Sequence, residues 1–145
     1  MALGNQYKVG VGSVGSYQIS GVPWLQTIAV TNSAPGTQVD FKPDGTNHNV
    51  TRWIKVKNLH GSHTVKLGFS SAGVNSTGTS PQKQPWITLP ANQADYIHLE
   101  VRVSSLFLLA SNTGVSVEII AGLTPIQDDF SSKIAAYRGI ADTAL

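Results

Sequence analysis

Cysteine is absent from this chain of 145 residues. That excludes a disulfide framework, a thiolate metal site and a cysteine nucleophile, so stability must come from packing or assembly. Charge is scarce too. Asp, Glu, Lys and Arg make up 12% of the residues, about half the usual share of about 25%, and Ser, Thr, Asn, Gln and Gly carry the polar load. The net charge of +2 is too small for the clustered basic footprint of a nucleic-acid-binding protein. One local cluster, Arg52, Lys55 and Lys57, is accounted for by a solvated strand face. No apolar run approaches the ~20 residues that span a bilayer. The opening Met1-Ala2-Leu3-Gly4-Asn5-Gln6 lacks a basic stretch followed by an apolar one, so no signal peptide is expected. The expectation is a soluble chain made in the cytosol.

Catalytic patterns are missing as well. No Gly-x-Ser-x-Gly stands between a strand and a helix. Gly10-Val11-Gly12-Ser13-Val14-Gly15 has the look of a phosphate loop but lacks the following lysine and helix. Asp40 and Asp44 flank a proline turn and Asp128 and Asp129 are adjacent; neither pair has a spacing that predicts acid/base work. His60 and His63 flank a glycine turn, with His48 and His98 distant in sequence. Two imidazoles need a third ligand to hold a metal, and spacing marks none. No cofactor, no metal and no enzymatic activity are expected.

What the chain does have is alternation. Ile97, Leu99, Val101 and Val103 share one side of residues 96–103, with His98, Glu100 and Arg102 on the other. After the apolar run 106–110, Val115, Val117, Ile119, Ala121 and Leu123 repeat the pattern. A period of two is the signature of half-buried antiparallel strands, which makes Leu99, Val101, Val117 and Ile119 expected core residues. Further strand candidates span residues 17–20, 25–31, 37–41, 50–58, 63–69, 86–89 and 106–111. Turn sequences such as Ala34-Pro35-Gly36, Pro43-Asp44-Gly45 and Asn112-Thr113-Gly114 separate them. Eight or nine short strands with no convincing helix between them predict an all-β, antiparallel β-sandwich. Among sandwiches the single jelly roll has the right strand number.

The expected organisation is an N-terminal arm over 1–16, the sandwich over 17–127, and a C-terminal arm or short helix over 128–145. The first segment interleaves Val9, Val11 and Val14 with glycines and is either a frayed end or an arm ordered against a neighbour or along the sheet edge. In the last, Ile134, Tyr137 and Ala141 fall at helical spacing behind Asp128 and Asp129. The long irregular stretch 70–85 is expected to serve contacts. Expected interface residues are Val9, Val11 and Tyr17 in the arm, Trp53 opposite Ile54 and Val56, and Phe130, Ile134 and Tyr137 in the tail. Trp24, Trp53 and Trp86 also raise the question of sugar binding, with Trp53 or Trp86 as the platform. An aromatic buried at a subunit contact is the competing reading.

Several strings carry a resemblance: the opening Gly15-Ser16-Tyr17-Gln18-Ile19-Ser20-Gly21-Val22-Pro23-Trp24, then Val50-Thr51-Arg52-Trp53-Ile54-Lys55-Val56-Lys57-Asn58, Val65-Lys66-Leu67-Gly68-Phe69-Ser70, Ile87-Thr88-Leu89-Pro90, Leu106-Phe107-Leu108 and Val117-Glu118-Ile119-Ile120-Ala121-Gly122-Leu123-Thr124. Together they resemble the small single-jelly-roll structural proteins of icosahedral viruses and phages that form capsid vertices or decorate shells. The resemblance implies a non-enzymatic virion component, synthesised in the host cytoplasm. It would assemble as a homo-oligomer (trimer or pentamer) and with the major capsid protein, and engage no membrane and no specific nucleic acid. The alternative is a carbohydrate-binding or receptor-binding sandwich module.

Overall fold

The structure, a computed structural model, describes residues 21–76 and 85–127. The arm with Val9, Val11 and Tyr17, the strand expected over 17–20, and the tail with Phe130, Ile134 and Tyr137 lie outside the described residues.

Eight strands follow one another: β1 (Val22–Val30), β2 (Thr37–Asp40), β3 (Asn49–Asn58), β4 (Val65–Gly68), β5 (Trp86–Leu89), β6 (Ile97–Leu99), β7 (Ser105–Ala110) and β8 (Val115–Gln127). They form two antiparallel sheets of four strands, ordered β1-β8-β3-β6 and β2-β7-β4-β5. The first strand thus pairs with the last, β2 with β7, β3 with β6, and β4 with β5, its neighbour in the chain. The fold is all-β.

The core lies between the sheets. Val115, Val117, Ile119, Ala121 and Leu123 of β8 are fully buried, as alternation predicts, together with Ile54 and Val56 of β3. The second sheet meets them with Val39, Val65, Leu67, Leu89, Leu106 and Leu108 in one apolar cluster. The run 106–110 also obeys the pleat: Leu106, Leu108 and Ala110 point inward, and Phe107 and Leu109 are half-buried on the other side. Trp24 meets Phe41, the residue that follows β2, in an edge-to-face contact with ring centroids 5.1 Å apart.

Three expectations need correction. The strand expected over 96–103 is paired only over Ile97–Leu99, and Leu99 and Val101 are half-buried rather than core. They pack against the cluster from its rim, because β6 is an edge strand. Pairing stops where its partner is bulged. The register runs Thr51↔Leu123 and then Trp53↔Gly122, which inserts an extra β3 residue and bends the strand. The Thr51 hydroxyl takes over there, donating to Val101 O at 2.7 Å and accepting from Val103 N at 3.0 Å. The bulge also moves Arg52 out of the inward row that strict alternation with Ile54 would give it.

The third correction is a helix. Part of the stretch expected to be irregular forms a single turn, α1 (Ser71–Asn75), capped by the Ser70 hydroxyl, which accepts from Gly73 N at 3.0 Å. Val74, fully buried, seats this turn on the outer face of the second sheet. A Cβ at Gly68 would lie 2.8 Å from Val74 Cγ1 and 3.1 Å from Pro85 O, and one at Gly36 would lie 2.9 Å from Leu108 O. Bare glycine backbone makes room for the helix. No helical period marks residues 71–75, so tertiary contact rather than local pattern selects the turn.

Polar side chains tie the ends of β3. Asn58, 1% exposed, donates to His63 O (2.8 Å) and Pro90 O (3.0 Å) and accepts from His60 N (3.0 Å). At the other end Asn49 donates to Thr124 O (3.0 Å), and Thr124 Oγ1 donates to Val50 O (2.8 Å).

Two stability series check this account. Ile119→Ala is expected to cost about 2–5 kcal/mol and Leu99→Ala roughly half as much, since only the first empties a closed site; equal losses by chemical denaturation would contradict the half-buried place of Leu99. Asn58→Ala is expected to cost at least about 2 kcal/mol through the carbonyls and N–H left unpaired, and a loss within error of zero would show that the loops close without it.

Candidate functional site

The outer face of the first sheet collects the residues singled out from the sequence. In β3 the bulge sends both Arg52 and Trp53 outward, and Lys55 and Lys57 follow with the pleat. Across from them on β6 stands His98, opposite Lys55, with Tyr96 just before the strand. Trp53 meets His98 edge-on with centroids 6.1 Å apart. The Lys55 ammonium lies 5.8 Å from the Trp53 ring centre, and that of Lys57 lies 5.6 Å from Tyr96. The Tyr96 hydroxyl donates to the Glu118 carboxylate on β8. The two ammonium groups thus lie over aromatic faces, where a cation–π attraction acts, and Trp53 is half-buried among polar neighbours.

Trp86 lies elsewhere. It is on β5, on the outward side of the second sheet, with the Lys66 ammonium 4.2 Å from its ring centre. The same ammonium donates to Ser76 O at 3.3 Å. Trp53 and Trp86 therefore occupy opposite outer faces of the sandwich, and Trp24 faces inward. The three tryptophans do not form one platform.

Among the described residues, two shallow depressions bear on the question of a site. One, of about 330 Å³, is lined by Leu25, Gln26 and Thr27 of β1 and Glu118, Ile119 and Ile120 of β8. The other, of about 280 Å³, is lined by Val50, Phe69, Arg102, Val103, Ser104 and Ser105. Each contains a single ionisable side chain, Glu118 or Arg102, so neither assembles an acid/base pair.

His60 and His63 do come together, their rings stacked with centroids 4.5 Å apart. His60 Nδ1 accepts from the backbone N–H of both Ser62 and His63 at 3.1 Å. One ring nitrogen is therefore spent on closing the turn. Among the described residues no three His, Cys, Asp or Glu side chains converge as metal ligands would.

Asp44 organises the turn before β3. Its carboxylate accepts from Thr46 N (2.9 Å), Asn47 N (2.8 Å) and Asn47 Nδ2 (2.8 Å). These donors, the Asn47 N–H first, lower its pKa from 3.8 to about 2. This network joins neighbours two and three residues apart, as a turn at Pro43-Asp44-Gly45 allows, whereas those of Asn58 and Thr51 depend on partners brought in by the fold, which sequence spacing had no means of showing.

Comparison with family models, curated proteins and solved structures finds no match to this chain. The functional argument therefore rests on the sandwich and its surfaces.

The pH dependence of the Asp44 turn is a direct check. A carboxylate with a depressed folded-state pKa stabilises the fold above its unfolded value, and that contribution is lost as pH falls through the folded one. Its loss is expected between about pH 4 and about pH 2. Asn47→Ala removes the side-chain donor and keeps the backbone N–H, so it is expected to move the Asp44 carboxyl resonance midpoint only part of the way back up in an NMR titration; an unchanged midpoint would show that the Asn47 side chain has no share in the shift.

Proposed function

We propose that this sandwich is a single jelly roll and that the protein is a non-enzymatic structural component of an icosahedral viral particle: a vertex, minor capsid or decoration protein. One observation carries the reading. Strand orders β1-β8-β3-β6 and β2-β7-β4-β5 are what results when a long antiparallel hairpin, paired first strand to last and closed at β4–β5, is rolled up so that alternate pairs fall in opposite sheets. That arrangement supports the jelly-roll reading, and the jelly roll is a fold used by viral capsid and lectin domains.

Between those two uses, the surfaces favour the structural one. A sugar stacked on Trp53 or Trp86 would have to compete for the ring with a lysine ammonium, 5.8 Å from the centre of the first and 4.2 Å from that of the second. A charge-poor surface lets copies pack closely with little like-charge repulsion. The mechanism is geometric: a rigid sandwich presents its faces, edges and terminal segments to copies of itself as a trimer or pentamer, and to the major shell protein.

The full chain is expected to form closed rings of three or five copies, alone or joined in pairs, by negative-stain electron microscopy, with the matching mass by sedimentation. Removing residues 1–16 or 128–145 is expected to lower that mass. A chain that stays monomeric and instead binds a glycan saturably, with binding lost in Trp53→Ala, would overturn the reading in favour of a carbohydrate-binding module.

A further inference from the structure

Four strands form the outer edges of the two sheets: β1 and β6 of the first, β2 and β5 of the second. Three are blunted by shortness, since β6 has three residues and β2 and β5 have four each. The remaining edge, β1, runs for nine residues, Val-Pro-Trp-Leu-Gln-Thr-Ile-Ala-Val, without a single charge. Proteins commonly protect long edges with lysine, with short strands or with a covering element, because an open row of N–H and C=O groups is a template for another strand. Among the described residues nothing pairs with β1 on the side away from β8. Both of its faces are also incompletely covered. Leu25 is 68% exposed on the outer face, while Val22, Trp24 and Ile28 are only half-buried on the inner one.

The orientation of the open row follows from Pro23. It has no N–H to give, yet it holds a place opposite Gly122 in the β1–β8 ladder. A proline keeps such a place when its nitrogen faces away from the partner. In-plane direction alternates along a strand, so the N–H and C=O groups of Leu25, Thr27 and Ala29 share that outward side.

We infer that β1 is the seam at which two copies of this chain pair, antiparallel about a two-fold axis through Gln26, so that the first sheet runs on from one copy into the next. The occupant is a second copy for three reasons. An isologous pairing sets Leu25 against Thr27, Pro23 against Ala29 and Trp24 against Ile28 of the partner, so no like charges meet anywhere along the seam. The lone residue without a donor, Pro23, falls at the margin, where its C=O still accepts. And Gly21, whose N–H donates to Leu123 O at 3.1 Å, is itself held on the β8 side of the strand rather than on the open edge. The pairing covers Leu25 and the rims of Trp24 and Ile28, and main-chain hydrogen bonds supply its register, as in other strand-addition contacts. The inference stands whether or not the chain belongs to a virion, and a two-fold seam can join single chains or rings alike.

The absence of cysteine makes the test direct, because any disulfide in a single-cysteine variant joins two chains. In the proposed register Gln26 faces its own symmetry mate as a non-hydrogen-bonded pair, with Cα atoms about 4.5 Å apart, inside the range a disulfide spans. Gln26 is exposed, so Gln26→Cys leaves the core intact. Ala29→Cys is the control, since its symmetry mate lies far along the seam. With glutathione disulfide as oxidant, the full chain carrying Gln26→Cys is expected to give a reducible two-chain band at least about tenfold faster than Ala29→Cys, the signature of a preformed pair. Equal rates would mean random collision and overturn the proposal. No band from either variant would overturn it too, and would leave residues 1–20 of the same chain as the cover of the edge. Should Gln26→Cys lose its cooperative melting, the same register is read by sedimentation from Leu25→Glu and Thr27→Lys. Each alone is expected to lower the mass and an equimolar mixture to restore it, because these residues face one another across the seam; masses unchanged in either variant, or no recovery on mixing, would overturn the pairing.

Discussion

Burial of every second residue of β8 is the constraint from which the rest of this molecule follows. Val115, Val117, Ile119, Ala121 and Leu123 are shut away from water, and β8 sits between β1 and β3, setting the register of both. A slip of one residue would turn this row outward and expose Ser116, Glu118 and Ile120 to the core instead. Once β8 is locked, β3 is locked through it, and β6 can only add at the outside of β3. The second sheet then closes the core from the other side, with Leu106 and Leu108 of β7 against the same cluster.

The two outer faces are treated differently. The second sheet carries α1, seated by Val74 over Gly68 and Gly36, so its outward Phe107 and Leu109 are half-covered. The first sheet carries no such cover among the described residues. It presents Trp53, Lys55, Lys57 and His98 together, and beyond them Ile120 and the exposed Leu25. Cation–π contacts along β3 let the polar half of this face meet water without wasting its aromatic surface. The apolar half ends at the uncharged edge of β1. A capsid component and a two-fold β1 seam are separate readings, but both ask the first sheet to meet other copies, and the charge-poor surface suits both.

Buried polar side chains close both ends of β3. Asn58 holds the turn at His60, the carbonyl of His63 and the carbonyl of Pro90, while Asn49, Thr51 and Thr124 stitch the bulged end to β8 and to residues 101–103. Buried polar groups are tolerated when all their partners are supplied. They fix where strands stop, which apolar packing alone leaves free to slide.

Residue order by itself determined the class of structure and most of its strands, because the period-two pattern is local: Val115 to Leu123, Ile54 and Val56, and Leu106 and Leu108 declare their inward faces without reference to any partner. The outward place of Trp53 was legible for the same reason. Only the tertiary structure decided the rest. The bulge that expels Arg52 depends on how β3 meets β8, the shortness of β6 depends on that bulge, and the turn of helix at residues 71–75 exists because two distant glycines leave space for Val74. That β1 has no partner on one side among the described residues is likewise invisible in its own nine residues, since an edge is defined by what stands beside a strand. Period and composition report what a segment does alone, whereas hydrogen-bond partners, close approaches and sheet order belong to pairs of segments far apart in the chain.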